Sequence, residues 1–199
     1  MKKSDIEIAS KYLNDRAWRL NHLYHIIDKS GQKRLFKLNW AQEDLFKHVW
    51  HCNVILKARQ LGMSTFITIL FLDVCLFNSN VSAGIVAHTR EDAEQIFAKV
   101  KFAYECLPEA LKKERPISTD TVREVKFSNG SHFRVGTSLR SSTFQYLHIS
   151  EFGKICAKYP DKAREIITGA LNTLSTGQYV FIESTAEGRE GAFYEICKT

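Results

Sequence analysis

The sequence predicts an α/β fold with a mainly parallel central sheet flanked by helices, and three observations predict it. From Trp40 onward, short apolar runs alternate with stretches of helical periodicity, the pattern of strands joined by helical crossovers. One such run leads through a loop straight into a long apolar segment, Val54 to Phe77, as a strand, a tight loop and a buried helix would. Residues 122 to 135, VREVKFSNGSHFRV, alternate on both sides of Asn129-Gly130, a dipeptide suited to the positive φ angles of a hairpin turn, so an inserted antiparallel hairpin is expected.

Taken in order, residues 4 to 20 place Ile8, Tyr12, Leu13 and Leu20 at helical spacing, and residues 22 to 38 read as extended segments around Lys29-Ser30-Gly31. Residues 1 to 39 are expected as an N-terminal appendage and 40 to 199 as the core. The core opens with a short helix over 41 to 50 and a strand over 53 to 57, then the loop and a helix through Phe77. That helix is strongly apolar, yet it is too short to span a bilayer and contains Asp73, so burial in a core is expected. A strand follows over Ser82 to Ala87, then a helix opened by Thr89, with Asp92 as capping partner, running to about Cys106. After the hairpin come a strand over Gln145 to Ser150, a helix from Pro160 to Leu174 and a strand over Gln178 to Glu183.

Composition sets outer bounds. With 199 residues and 44% hydrophobic content the chain can bury a sizeable core, and disorder is not expected. The net charge of +6 suits an anionic partner such as nucleic acid and equally an ordinary solvated basic surface. Five scattered cysteines without a CxxC pair read as reduced thiols, and His22 with His25 or His48 with His51 lack the further ligands of a zinc site. The start, MKKSDIEIASKY, lacks the apolar core of a signal peptide, and no membrane association is expected.

Three segments carry chemistry. Lys57-Ala58-Arg59-Gln60-Leu61-Gly62-Met63-Ser64-Thr65 lies between a predicted strand and a predicted helix, where backbone N–H groups and a helix N-terminus converge on an anion. Laid on the phosphate-loop template GxxxxGK[ST], Gly62 and Ser64 keep their places, Met63 replaces the lysine, and Lys57 stands at the first glycine. Lys57 and Arg59 then supply positive charge, and Ser64 or Thr65 a hydroxyl for Mg²⁺; the other reading is a plain strand-to-helix turn. In Tyr146-Leu147-His148-Ile149-Ser150-Glu151 an apolar strand ends in a carboxylate, where phosphoryl-transfer folds keep the acid that orients the attacking water. Ser150 stands where a metal-holding aspartate would, so Mg²⁺ would rest on Ser64, phosphate oxygens and waters, with Glu151 reaching it through water. In Phe181-Ile182-Glu183-Ser184-Thr185-Ala186-Glu187-Gly188 a third strand closes on small hydroxyl residues, either an ordinary turn or a contact to phosphate and Glu151.

Phosphate loop, strand carboxylate and hydroxyl turn follow one another in the order of an additional-strand P-loop NTPase. In KARQLGMST, LHISEFGK and ESTAEG the chain resembles the ATPase domain of the large terminase subunit, the DNA-packaging motor of tailed bacteriophages and prophages, over residues 40 to 199. That resemblance implies ATP and Mg²⁺ as cofactors and an adenine contact from Gln42 in LNWAQEDLF, with Trp40 nearby. It makes Lys57 the displaced loop lysine, with Gln60 and Met63 in the nucleotide-binding loop, Glu151 the catalytic acid, and Arg59 or Arg140 (in GTSLRSS) the arginine that assists the transition state, Arg140 in trans from a neighbouring subunit. Ser184, Thr185 and Ala186 become the segment that couples turnover to movement. Implied partners are double-stranded DNA, a small terminase subunit, a portal and procapsid, and a homo-oligomeric ring, in the cytoplasm of a bacterial host; Lys112, Lys113 and Arg115 are candidate DNA contacts. The chain departs from the family pattern at Met63 and Ser150, and nothing after Glu187 supplies the acids of the family's C-terminal nuclease, so cleavage is not expected of it. Two other readings stand beside this one: a nucleotide- or DNA-binding module without turnover, and a helicase-like ATPase of another lineage.

Overall fold

The computed structural model describes residues 11–139, 143–171 and 177–198. Helical residues 11–14 stop at Asp15, whose carboxylate accepts the backbone N–H of Trp18 at 3.2 Å and so caps a new helix, α1 (Arg16–His22). The single helix expected over 4 to 20 is therefore broken where an aspartate side chain competes for the backbone, and residues 4 to 10 lie outside the described residues. Strands β1 (His25–Ile27) and β2 (Lys33–Leu35) pair antiparallel about a turn in which Asp28 accepts the N–H groups of Ser30 and Gln32.

Helix α2 (Trp40–Lys47) is shorter than expected because His48 caps it and Asn53 binds the backbone of Trp50 at both N–H and carbonyl, turning the chain into β3 (Cys52–Leu56). Next come α3 (Met63–Phe77), β4 (Ser82–Val86) and α4 (Arg90–Glu105), the last capped by the Thr89 hydroxyl on the N–H of Asp92 as anticipated. A short helix α5 (Glu109–Glu114) and strand β5 (Ile117–Asp120) were not foreseen. The hairpin is β6 (Glu124–Phe127) and β7 (His132–Gly136). Its turn holds Gly130 at the left-handed φ of 82°, and the Asn129 amide reaches the carbonyls of Cys75 and Asn78 at the end of α3. Then follow β8 (Tyr146–Ser150), two helices α6 (Phe152–Lys158) and α7 (Pro160–Ile166), a π-helical turn Ile167–Leu171, β9 (Tyr179–Ser184) and α8 (Gly191–Lys198). The end of the helix expected through Leu174 lies outside the described residues.

Among the described residues, seven strands form one sheet in the order β3-β9-β8-β4-β7-β6-β5. The first five are parallel; β6 and β5 extend the sheet antiparallel, so the return strand of the hairpin, β7, is itself a central strand paired with β4. Strand β9 lies between the strand leading into the loop and the strand ending in Glu151, which is the arrangement the term additional-strand denotes. Alternate residues of β9 serve opposite faces: Phe181 joins a core with α3 and α4, while Val180 and Ile182 join a second cluster with Phe152, Ile155 and Phe193 from α6 and α8. Among the described residues no helix is long and apolar enough to cross a membrane.

Candidate functional site

The carboxyl ends of β3, β9 and β8 stand side by side, and open α/β sheets bind ligands at such ends. From β3 the chain passes through Lys57 to Leu61 and enters α3 at Gly62, whose φ of 72° is left-handed. No side chain caps α3, so the N–H groups of its first turn are left for a ligand or water. Gly62 is braced from below: Gln42 Nε2 donates to its carbonyl at 2.9 Å, and Asn39 Nδ2 donates to the Leu61 carbonyl at 3.0 Å. Three non-glycine residues among those described have positive φ, and two of them, Gln60 (68°) and Glu151 (53°), belong to this site; such backbone conformations persist where surrounding contacts enforce them.

Lys57 is the centre of the charge arrangement. Its Nζ lies 2.9 Å from Glu151 Oε1 and 2.8 Å from Glu183 Oε2, and Lys154 Nζ lies 3.2 Å from Glu151 Oε2. Burial pushes the Glu151 carboxyl up, but the hydrogen bond and charge of Lys57, followed by those of Lys154, outweigh it and hold the group below its ordinary range. Glu183 has no exposed surface. Its Oε1 accepts the Ser64 hydroxyl at 2.5 Å and the Ser150 hydroxyl at 2.9 Å, with His148 Nε2 at 3.4 Å. Burial, and then the charge of Lys57, push His148 down to about 3, so the imidazole is neutral at ordinary pH.

The structure brings Glu151, distant in sequence, to Lys57, while Ser64 of the same loop joins Lys57 through Glu183. Gln42, expected near adenine, is buried and holds the loop through Gly62 while its Oε1 accepts the Asn39 N–H at 3.1 Å. Met63, at the template's lysine position, is buried, Thr65 is half-buried, and Arg59 is exposed on the loop. Gln60 accepts from Lys29 Nζ at 2.6 Å, a tie between the β1–β2 turn and the loop. The Ser184 carbonyl accepts the N–H of Lys57 at 3.0 Å, Thr185 donates to Glu187, and Ala186 lines a cavity of about 510 Å³ bounded by Leu56, Gly153 and Phe193. Arg140 lies outside the described residues. Lys112, Lys113 and Arg115 sit beside β5, at the sheet edge opposite β3; Arg115 is committed to the Leu76 carbonyl and Lys112 to Glu109.

Sequence reading gave Glu183 no role. Its signal was a carboxylate inside an apolar strand, FIES, but its meaning depends on the register that sets Glu183 beside Ser150 on the neighbouring strand.

Strand order and polar cluster together define the class: an additional-strand α/β protein whose charged residues gather where β3 passes into α3. Solved structures with this fold include the large terminase ATPase domain of Thermus phage P74-26, as an arginine-to-alanine mutant (TM-score 0.62) and as the domain itself (0.59), each 18% identical and covering 80% of this chain and 69% of that one. The large terminase of bacteriophage HK97 matches with a TM-score of 0.66 and 16% identity, over 91% of this chain and 39% of its own. No family model and no curated protein sequence matches the chain. At such identities the likeness is one of fold, and the fold is that of a large terminase ATPase domain, as the three motifs implied.

Proposed function

We propose that this chain is the ATP-hydrolysing motor domain of a viral DNA-packaging terminase, which moves double-stranded DNA into a procapsid. The observation that carries the reading is Lys57 held 2.9 Å from Glu151 across the intervening strand, beside the uncapped N-terminus of α3. In this reading the triphosphate lies on the first-turn N–H groups of α3 and on Gly62, with Lys57 and Arg59 offsetting charge that develops on the γ-phosphate. Lys57 takes up one acceptor site of Oε1, and its charge lowers the basicity of Glu151. Turning Lys57 toward phosphate frees that site and raises the basicity of Glu151, which favours its alignment of the attacking water when nucleotide is bound.

Mg²⁺ fits the hard oxygen donors present, with Ser64 and, through water, Glu151 as the residues that would hold it. When bound it neutralises charge on the β- and γ-phosphate oxygens. Gln42 transmits contact at adenine to the loop, since its amide already holds the Gly62 carbonyl. Ser184 follows Glu183 directly and binds the Lys57 N–H, which supports a coupling role for Ser184 to Ala186. Arg140 serves as a finger from a neighbouring subunit of a ring. DNA is held through its backbone without base readout, in company with a small subunit and portal in the host cytoplasm.

Purified protein should hydrolyse ATP, and Lys57→Ala or Glu151→Gln should each lower kcat by about 100-fold or more, as loss of an electrostatic or base contribution does. Rates within twofold of wild type in both variants would remove the assignment. Binding of ATP without turnover, even with DNA, would favour the binding-module reading, which Ser150 in place of an acid specifically motivates.

A further inference from the structure

We propose that Glu183 is the metal-holding acid of this site, displaced by one strand from the position that Ser150 occupies. The inference rests on reading the site as one for magnesium nucleotide. Ser150 and Glu183 are register partners on β8 and β9, and the Ser150 hydroxyl donates to Glu183 Oε1 at 2.9 Å. The Glu183 carboxylate thus reaches over the end of β8, where a shorter acid at 150 would stand. The same oxygen accepts the hydroxyl of Ser64 at 2.5 Å, and Ser64 is the loop residue whose hydroxyl the template directs at magnesium.

A counter-ion for Lys57 alone is an incomplete account of this acid. Lys57 already has Glu151 at 2.9 Å, so Glu183 adds a second carboxylate to the same ammonium in a position without solvent. Once Lys57 turns to phosphate, Glu183 is left with two hydroxyls, a neutral imidazole and no cation. A buried carboxylate that loses its counter-ion must take up a proton or a new cation, and a triphosphate brings a cation with it. Magnesium takes one or two protein carboxylates with hydroxyl, phosphate and water oxygens, which is the donor set that Glu183 and Ser64 provide. Serine at 150 and glutamate at 183 are then one feature: the smaller residue makes room for the longer arm.

The test measures affinity for the non-hydrolysable analogue AMP-PNP in Mg²⁺ and in EDTA, together with the electron paramagnetic resonance signal of Mn²⁺ bound in its presence. Wild type should bind at least tenfold more tightly with Mg²⁺. Glu183→Gln keeps an acceptor for Ser64 and Ser150, and its Mg²⁺-to-EDTA ratio should fall to about twofold with loss of the bound-Mn²⁺ signal. Ser150→Asp added to Glu183→Gln returns an acid to β8 and should restore both. If Glu183→Gln does not fold, Glu183→Asp carries the test, since its shorter arm should raise the Mg²⁺ concentration needed for half-maximal tightening by about tenfold. A folded Glu183→Gln protein with the wild-type ratio and Mn²⁺ signal would overturn the inference alone. Wild type that fails to bind AMP-PNP at all would overturn the nucleotide reading and this inference with it.

Discussion

His148 shows how much of the site depends on a single buried ring. It stands in the middle of β8 without exposed surface, edge-on to Phe71, with Lys57, just after β3, and Glu183 of β9 beside it. Its folded value of about 3 lies below the unfolded value near 6.5, so the unfolded chain binds the proton more readily. Stability from this residue is therefore complete above pH 6.5 and is lost as pH falls toward 3, with a slope of about 1.4 kcal/mol per pH unit. Urea unfolding at a series of pH values should show that slope between pH 6 and 4, and His148→Phe should flatten it by a comparable amount; equal slopes would mean that other groups carry the dependence. Lys57, Gly62, Ser64 and Glu151 could be named as candidates one at a time because each answers to a local template. His148 and Glu183 could not, because their meaning is a contact between strands, and sequence periodicity does not fix the strand partner.

At the scale of elements, the loop from Lys57 to Gly62 is a junction of β3 and α3 held by α2, and Gly62 is where the three meet. An alanine Cβ there would meet Gln42 Nε2 at 2.8 Å while the backbone stays left-handed at φ 72°. The conformation alone costs about 1–2 kcal/mol, and displacement of Gln42 adds to it. Gly31 is a control, since its φ of 75° carries the same conformational cost with nothing within 4 Å of the added atom. Thermal unfolding should show Gly62→Ala to be more destabilising than Gly31→Ala, and a Gln42→Ala background should remove most of the difference; equal costs in all backgrounds would mean that Gln42 yields freely. Helices α3 and α4 and the strands β3, β4, β8 and β9 were legible because their apolar periods are uninterrupted. Helices α6 and α8 escaped notice since a helix of seven or eight residues leaves too few turns for a period to stand out. The hairpin was legible as a local pair, whereas the parallel pairing of β7 with β4 bridges distant segments and left no mark on either.

For the whole molecule, the decisive contact lies between the first segment and the helix behind the site. Arg19 Nε and Nη2 reach the two oxygens of Asp73 at 2.8 and 2.7 Å, the Tyr24 hydroxyl donates to Asp73 Oδ1 at 2.8 Å, and Arg19 stacks 4.0 Å from the Phe77 ring centre. Leu20, Tyr24 and Phe36 enter the same apolar cluster as α3, so the segment read as an appendage contributes to the core that backs this helix. Removing the acid leaves Arg19 buried without its counter-charge, a loss of about 3–5 kcal/mol for an ion pair this secluded. Trp18 reports on α1, since the other two tryptophans, Trp40 and Trp50, are largely exposed. In wild type, tryptophan fluorescence and far-ultraviolet circular dichroism should lose signal at one urea midpoint, because the two parts share one cluster. Asp73→Ala should lower both midpoints together with little change in slope. A fluorescence transition that precedes the dichroism change in wild type would instead mean that the first segment unfolds independently and that α3 is held by the sheet and α4 alone.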